Sequence, residues 1–366
     1  MVPGHVHGGL TTLADVPSNP ARTRRARPAA DLRPGTGSFE GVRLHVVTGK
    51  GGTGKTTVAA ALALALAEEG KKILLVEVED RQGIAQMFDV PPLPYQERSV
   101  AVGPWGGEVV ALAVEARAAL LEYLDVFYKL GRAGKVLEKT GAIDFATTIA
   151  PGLRDVLLTG KVYEANRRTH KGSRHHVYDA VVLDAPPTGR ITRFLNVNSE
   201  VSGLAKMGPI RNQADAVMRM MRSATTVVHL VTLLEEMPVQ ETLDGIRDLE
   251  RVDLPVGAVV VNQVRDEVLP TRSLAAVDKG RLGPEGIVEG LVATGVAKDA
   301  ARATTMATGL LAEAGEHSRR VALQRRERSA LDAAGHQVHE LAYLAGGVDL
   351  GGLYELAAQM RTQGLA

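Results

Sequence analysis

A chain of 366 residues with 43 Lys and Arg against 42 Asp and Glu, net charge +1, carries no overall field to draw it to nucleic acid or anionic lipid. It holds no cysteine, which removes disulfides, thiolate metal sites and cysteine nucleophiles at once and fits a reducing, cytoplasmic compartment. Aromatic residues, at 4%, are too few for the stacking platforms of single-strand nucleic-acid binders.

In chain order, residues 1–40 are rich in Pro, Gly, Ala and Arg, including Arg22, Arg24, Arg25 and Arg27, with no apolar period. That composition predicts a disordered arm, a solvated leader or a basic tether, and it lacks the apolar core of a signal peptide. Residues 41–366 read as the folded part. Short, apolar, β-branched runs at Leu44–Val47, Ile73–Val78, Ala180–Leu183, Val227–Val231 and Ala258–Val261 predict buried parallel strands. Helical stretches such as Val58–Glu69 and Val239–Leu249 lie between them. This alternation predicts an α/β fold, a doubly wound, mostly parallel sheet covered on both faces. Two intervals, about 112–175 and 199–224, are too long for simple crossovers and predict an inserted helical subdomain, with helix at Ala116–Leu130, Pro151–Arg168 and Ser199–Ser223. Ser273–Arg328 reads as a charged helical tail. No run reaches the ~18 apolar residues of a membrane span, and no internal repeat is present.

The first chemistry lies at Gly49-Lys50-Gly51-Gly52-Thr53-Gly54-Lys55-Thr56, followed by Thr57, which satisfies G-x-x-x-x-G-K-[ST] between a predicted strand and a predicted helix. Glycines let the backbone curl so that its N–H groups face a phosphate. Lys55 supplies charge to the β- and γ-phosphates and Thr56 a hydroxyl for Mg²⁺, while the following helix adds the positive end of its dipole. The expected ligand is therefore Mg·ATP. Val181-Val182-Leu183-Asp184 ends an apolar strand in a carboxylate suited to the same metal.

Gly-Lys-Gly-Gly-x-Gly-Lys-Thr-Thr, with Lys50 as a second lysine, resembles the deviant Walker A loop of the Min-system and nitrogenase-iron-protein ATPases. The resemblance implies a dimer in which Lys50 reaches the partner's phosphates. Asp184-Ala185-Pro186-Pro187-Thr188-Gly189-Arg190, then Arg193-Phe194-Leu195, resembles switch II of the arsenical pump-driving ATPases and of their relatives that guide tail-anchored proteins to membranes. Glu235, in Leu233-Leu234-Glu235, matches a nucleotide-contacting position, and Asn262, in Val260-Val261-Asn262-Gln263, matches an adenine-reading one. Tyr343–Leu353 is loosely similar to the loop that closes over adenine.

The departures bear on function. Where the family's switch I reads Asp-Pro-Ala-His, this chain has Glu79-Asp80-Arg81-Gln82. Glu79 falls on the water-positioning residue, with Asp80 as neighbouring alternative, so slow hydrolysis is expected. Without cysteine, neither a thiol-held metalloid nor the zinc clamp of the tail-anchor ATPases is expected. His170, His175 and His176 read as a solvated loop rather than a metal site. Met207, Met218, Met220 and Met221 admit two readings, ordinary packing or a groove for apolar helices. The resemblance thus implies a dimeric ATP-driven switch acting on a protein partner. The alternatives are a targeting chaperone for membrane-protein segments, or a weakly active subunit in a heterodimer with a paralogue.

Overall fold

The computed structural model describes residues 39–68, 70–79, 81–128, 151–196 and 209–366. The N-terminal arm, Asp80 and Met207 lie outside the described residues.

Eight strands form one sheet: β1 (Leu44–Gly49), β2 (Lys72–Glu77), β3 (Arg98–Val102), β4 (Glu108–Ala113), β5 (Ala180–Asp184), β6 (Thr226–Thr232), β7 (Val256–Val264) and β8 (Val338–Ala342). They run in the order β3-β4-β2-β5-β1-β6-β7-β8. All neighbours are parallel except β3, which pairs antiparallel with β4 at one edge. The five strands expected from apolar runs are β1, β2, β5, β6 and β7, which lie side by side with both faces covered. β3, β4 and β8 are additional, and they complete the two edges.

The helices are α1 (Lys55–Leu66), α2 (Gly83–Met87), α3 (Ala116–Tyr128), α4 (Pro151–Arg167), α5 (Thr188–Leu195), α6 (Pro209–Met221), α7 (Glu236–Arg251), α8 (Thr271–Asp278), α9 (Glu285–Ala293), α10 (Ala300–Ala333) and α11 (Leu350–Thr362). The sheet separates two apolar layers. On one face α1, α2 and α11 cover the strands through Val58, Leu62, Ile84, Leu356 and Met360. On the other face α3 to α7 cover them through Leu120, Val156, Phe194, Val217 and Ile246. The fold is therefore the doubly wound α/β sheet that the alternation of strand and helix implies. α1 is apolar on nearly every side, so it can only be a core helix. The charged tail resolves into α8, α9 and α10, with α8 and α9 packed on α10.

The methionines fall on the packing side of their two readings. Met218, Met220 and Met221 on α6 are buried in the same cluster as Ala214 and Val217. His170–His176 is a tight turn, in which the His170 N–H donates to the His175 carbonyl. Among the described residues no group of three His, Cys, Asp or Glu side chains is placed to hold a metal.

Candidate nucleotide site

β1 lies at the middle of the sheet, and its C-terminal end opens into the glycine-rich loop. The register sets Val47 opposite Asp184 of β5 and Gly49 opposite Val231 of β6, so three strand ends converge there. The chain order reverses at this point, the usual ligand crevice of an open α/β sheet.

Two glycines of the loop are dictated by geometry. A Cβ at Gly49 would stand 2.2 Å from the Val231 carbonyl oxygen. At Gly54, φ is +87° and a Cβ would meet the Asn262 amide nitrogen at 2.3 Å. A side chain there would be both strained and crowded. Thr53 is buried, and its hydroxyl donates to the Lys50 carbonyl at 2.9 Å, which fixes the curl. Asn262 donates to the Thr53 carbonyl at 2.9 Å, tying the end of β7 to the loop. α1 starts at Lys55 with no side chain capping its N-terminus, so the dipole end faces the loop's hollow.

Lys55 is 8% exposed, and its ammonium lies 3.4 Å from the Lys50 carbonyl. Burial lowers its pKa, while Asp184 and Glu79 pull it back up. The Thr56 hydroxyl donates to Asp184 Oδ2 at 2.6 Å. Burial lifts the Asp184 pKa to about 6, with the Thr56 hydrogen bond opposing the rise. A hydroxyl and a buried carboxylate in contact are the oxygen donors that a small hard cation takes alongside phosphate. The residues present therefore fit Mg·ATP: curled backbone, an enclosed ammonium, and an oxygen pair at one point. Thr57 points elsewhere, its hydroxyl 3.6 Å from Met87 sulfur on α2.

The switch segments flank the loop. Thr48 donates to the Pro186 carbonyl at 2.7 Å and holds the segment after β5 against β1. Glu79 is half-buried between two guanidinium groups, with Arg81 and Arg190 each 3.7 Å from a carboxylate oxygen. Lys50 pairs with Glu241 of α7 at 2.8 Å within its own chain. Glu235 is exposed at the head of α7, and its N–H donates to the Leu233 carbonyl at 2.8 Å. Tyr343 follows β8, and its N–H donates to the Val264 carbonyl at 2.8 Å. The Arg265 guanidinium stacks 3.8 Å from its ring centroid. Tyr343 and Asn262 thus both belong to the β7 end of the site.

Glu77 escaped sequence reasoning. It is 3% exposed at the end of β2, and its carboxylate accepts the backbone N–H groups of Arg81, Gly83 and Ile84 at 3.0–3.2 Å. It folds the switch around itself and starts α2. The visible signal was an acid inside an otherwise apolar strand, Ile73–Val78.

A parallel sheet, a phosphate loop at its switch point and an oxygen pair beside it define a P-loop nucleotide-hydrolysing protein. The anion-transporting ATPase family profile matches residues 42–227. ATPase BagA of Mycobacterium tuberculosis is 52% identical over 327 residues, covering 89% of this chain and 95% of that protein. ATPase GET3 of Kluyveromyces lactis is 25% identical over 252 residues, 60% of this chain and 71% of it. The arsenical pump-driving ATPase of Acidiphilium multivorum is 28% identical over 239 residues, 60% of this chain and 39% of it. The chain belongs to the anion-transporting ATPase family and is an ATPase. No helix among its described residues is long and apolar enough to cross a membrane.

Proposed function

We propose that this chain is an ATP-driven dimeric switch whose output is a protein partner, and that it works in the cytoplasm. The Thr56–Asp184 contact beside the enclosed Lys55 carries the nucleotide part of this reading. The loop from Gly49 to Thr57 holds the phosphates, Lys55 balances their charge, and Asn262 with the Tyr343 loop holds the base. Mg²⁺, when bound at Thr56 and Asp184, neutralises charge developing on the transferred phosphoryl group. Glu79, or Asp80 beside it, positions the attacking water. Arg81 and Arg190 stand beside the Glu79 carboxylate at 3.7 Å, and their turning away from it is part of activation. Lys50 leaves Glu241 to reach the phosphates of a second chain, a homodimeric or paralogous partner. Glu235 contacts the nucleotide only after the α7 end moves.

The switch is favoured over a chaperone for apolar segments because Met218, Met220 and Met221 are committed to the core. Lys55→Ala tests the nucleotide site. Isothermal titration is expected to show loss of Mg·ATP binding, because the phosphates lose their fixed counter-charge. Wild-type affinity in that variant would sink the assignment.

A further inference from the structure

Beside the phosphate loop, on the Glu79 side, lies a pocket of about 170 Å³. One water molecule needs only ~10–15 Å³ by such a measure, so there is room for a tetrahedral oxyanion. Five charged side chains line it: Glu79 and Arg81 from the segment after β2, Arg190 from α5, and Arg154 and Asp155 from the first turn of α4. Three guanidinium groups against two carboxylates leave a positive balance. Guanidinium forks match the paired oxygens of phosphate, sulfate and carboxylate with two parallel hydrogen bonds.

The pairing around Glu79 is loose. Both contacts to Glu79 are 3.7 Å, longer than a hydrogen bond, and the Arg81 and Arg190 side chains are mostly exposed. They can turn to a new anion at little cost. The pocket also lies next to the nucleotide site: Pro186, which lines it, stands two residues after Asp184, and its carbonyl accepts the Thr48 hydroxyl at the end of β1 at 2.7 Å. An anion leaving the nucleotide site on the Glu79 side enters the pocket first.

We propose that this pocket receives the inorganic phosphate released by hydrolysis and that Arg81, Arg154 and Arg190 grip it there before it reaches solvent. The assignment rests on the ATP site described above. It adds a residence for the product and gives Arg154, on a helix of the layer opposite α1, a reason to follow the state of the switch. While phosphate stays, Arg81 and Arg190 are drawn from Glu79 and the first turn of α4 is tied to both switch segments. Its departure undoes both.

The test uses the full chain loaded with Mg·ADP and titrated with inorganic phosphate, followed by phosphorus NMR line width and by calorimetry. Phosphate is expected to bind, and Arg154→Ala to weaken it about tenfold or more while Mg·ADP affinity stays unchanged, the loss of one charge-assisted contact. Asp155→Asn is expected to tighten phosphate several-fold, a gain that a damaged fold cannot imitate. In single turnover with a phosphate sensor, release is expected to be faster in Arg154→Ala. Failure of phosphate to bind the Mg·ADP form, or binding in Arg154→Ala within twofold of wild type, overturns the inference and leaves the ATP site standing. Unchanged release despite lost binding of added phosphate shows a site for solution anions, and the product assignment falls. Failure of Mg·ADP itself to bind sinks the ATP site, and the inference with it.

Discussion

Lys50 and Lys55 sit five residues apart in one loop, yet their surroundings give them different tasks. Lys55 is enclosed and leans across the loop's hollow, whereas Lys50 is about a third exposed and spends its charge on Glu241. An exposed pair of this kind contributes little to stability, so the bond is easily exchanged for a phosphate. Lys50→Ala is expected to leave Mg·ATP affinity intact and to lower turnover by about 10²-fold, the usual effect of removing one donor to developing charge. Glu241→Gln frees the same lysine and is expected to raise turnover. Steady-state hydrolysis with a parallel titration separates the two, and equal loss of binding and turnover in Lys50→Ala would place Lys50 in its own loop. The loop and Asp184 were legible in the sequence because backbone curvature and strand ends demand particular residues at fixed spacing, whereas Asn262 stood out only by resemblance to the family. Glu77 was not, because its partners are backbone N–H groups whose positions exist only after the chain has turned.

The strands divide by the same logic. Central ones are buried on both faces, so their sequences are apolar runs that announce themselves. β3 is a largely exposed antiparallel edge and β8 sets His339 and Glu340 side by side among its apolar residues, so neither carries that signature. The row of histidines across the sheet has its own consequence. His45 and His229 are fully buried on neighbouring strands, with His45 Nδ1 3.1 Å from His229 Nε2. The Ala258 N–H donates to His229 Nδ1 at 3.2 Å, so His229 carries its proton on Nε2 and donates to His45. Burial pushes His45 down to about 4 and His229 well below its ordinary value. Between about pH 6.5 and 4 the unfolded chain therefore binds protons that the fold refuses. Stability is full above 6.5 and falls with pH, by up to roughly 2.7 kcal/mol per unit for the two together. Urea unfolding from pH 8 to 5 checks this. His45→Leu is expected to lose about 1–3 kcal/mol at pH 8, from the orphaned His229 N–H, and to show a shallower slope. At α6 the burial of Met218 makes Met218→Asp a core lesion, expected to cost about 3 kcal/mol or more in the same assay. Loss of any client in that variant would say nothing about a groove, whereas wild-type stability would show that Met218 faces solvent.

The whole chain carries one phosphate loop, and that loop holds two lysines. Within a single chain Lys55 is enclosed by its own loop, and Lys50 is directed away from the loop toward α7. A second copy set face to face across the C-terminal ends of the strands would bring each Lys50 to the other's nucleotide. The bound triphosphate would then hold the pair together, and hydrolysis would release it. Glu79→Gln keeps the size of the side chain and removes the carboxylate proposed to position water, so ATP should stay and the pair with it. Light scattering with ATP, ADP and no nucleotide is the measurement. The Glu79→Gln chain is expected to double from 38.8 kDa only with Mg·ATP. Adding Lys50→Ala to it is expected to weaken the dimer without displacing the nucleotide. If Glu79→Gln binds Mg·ATP and remains monomeric, a homodimer is excluded, and mixing with a paralogous chain becomes the next measurement. If it turns over ATP within a few-fold of wild type, the water is positioned by Asp80 instead, and Asp80→Asn should then be the variant that traps the pair.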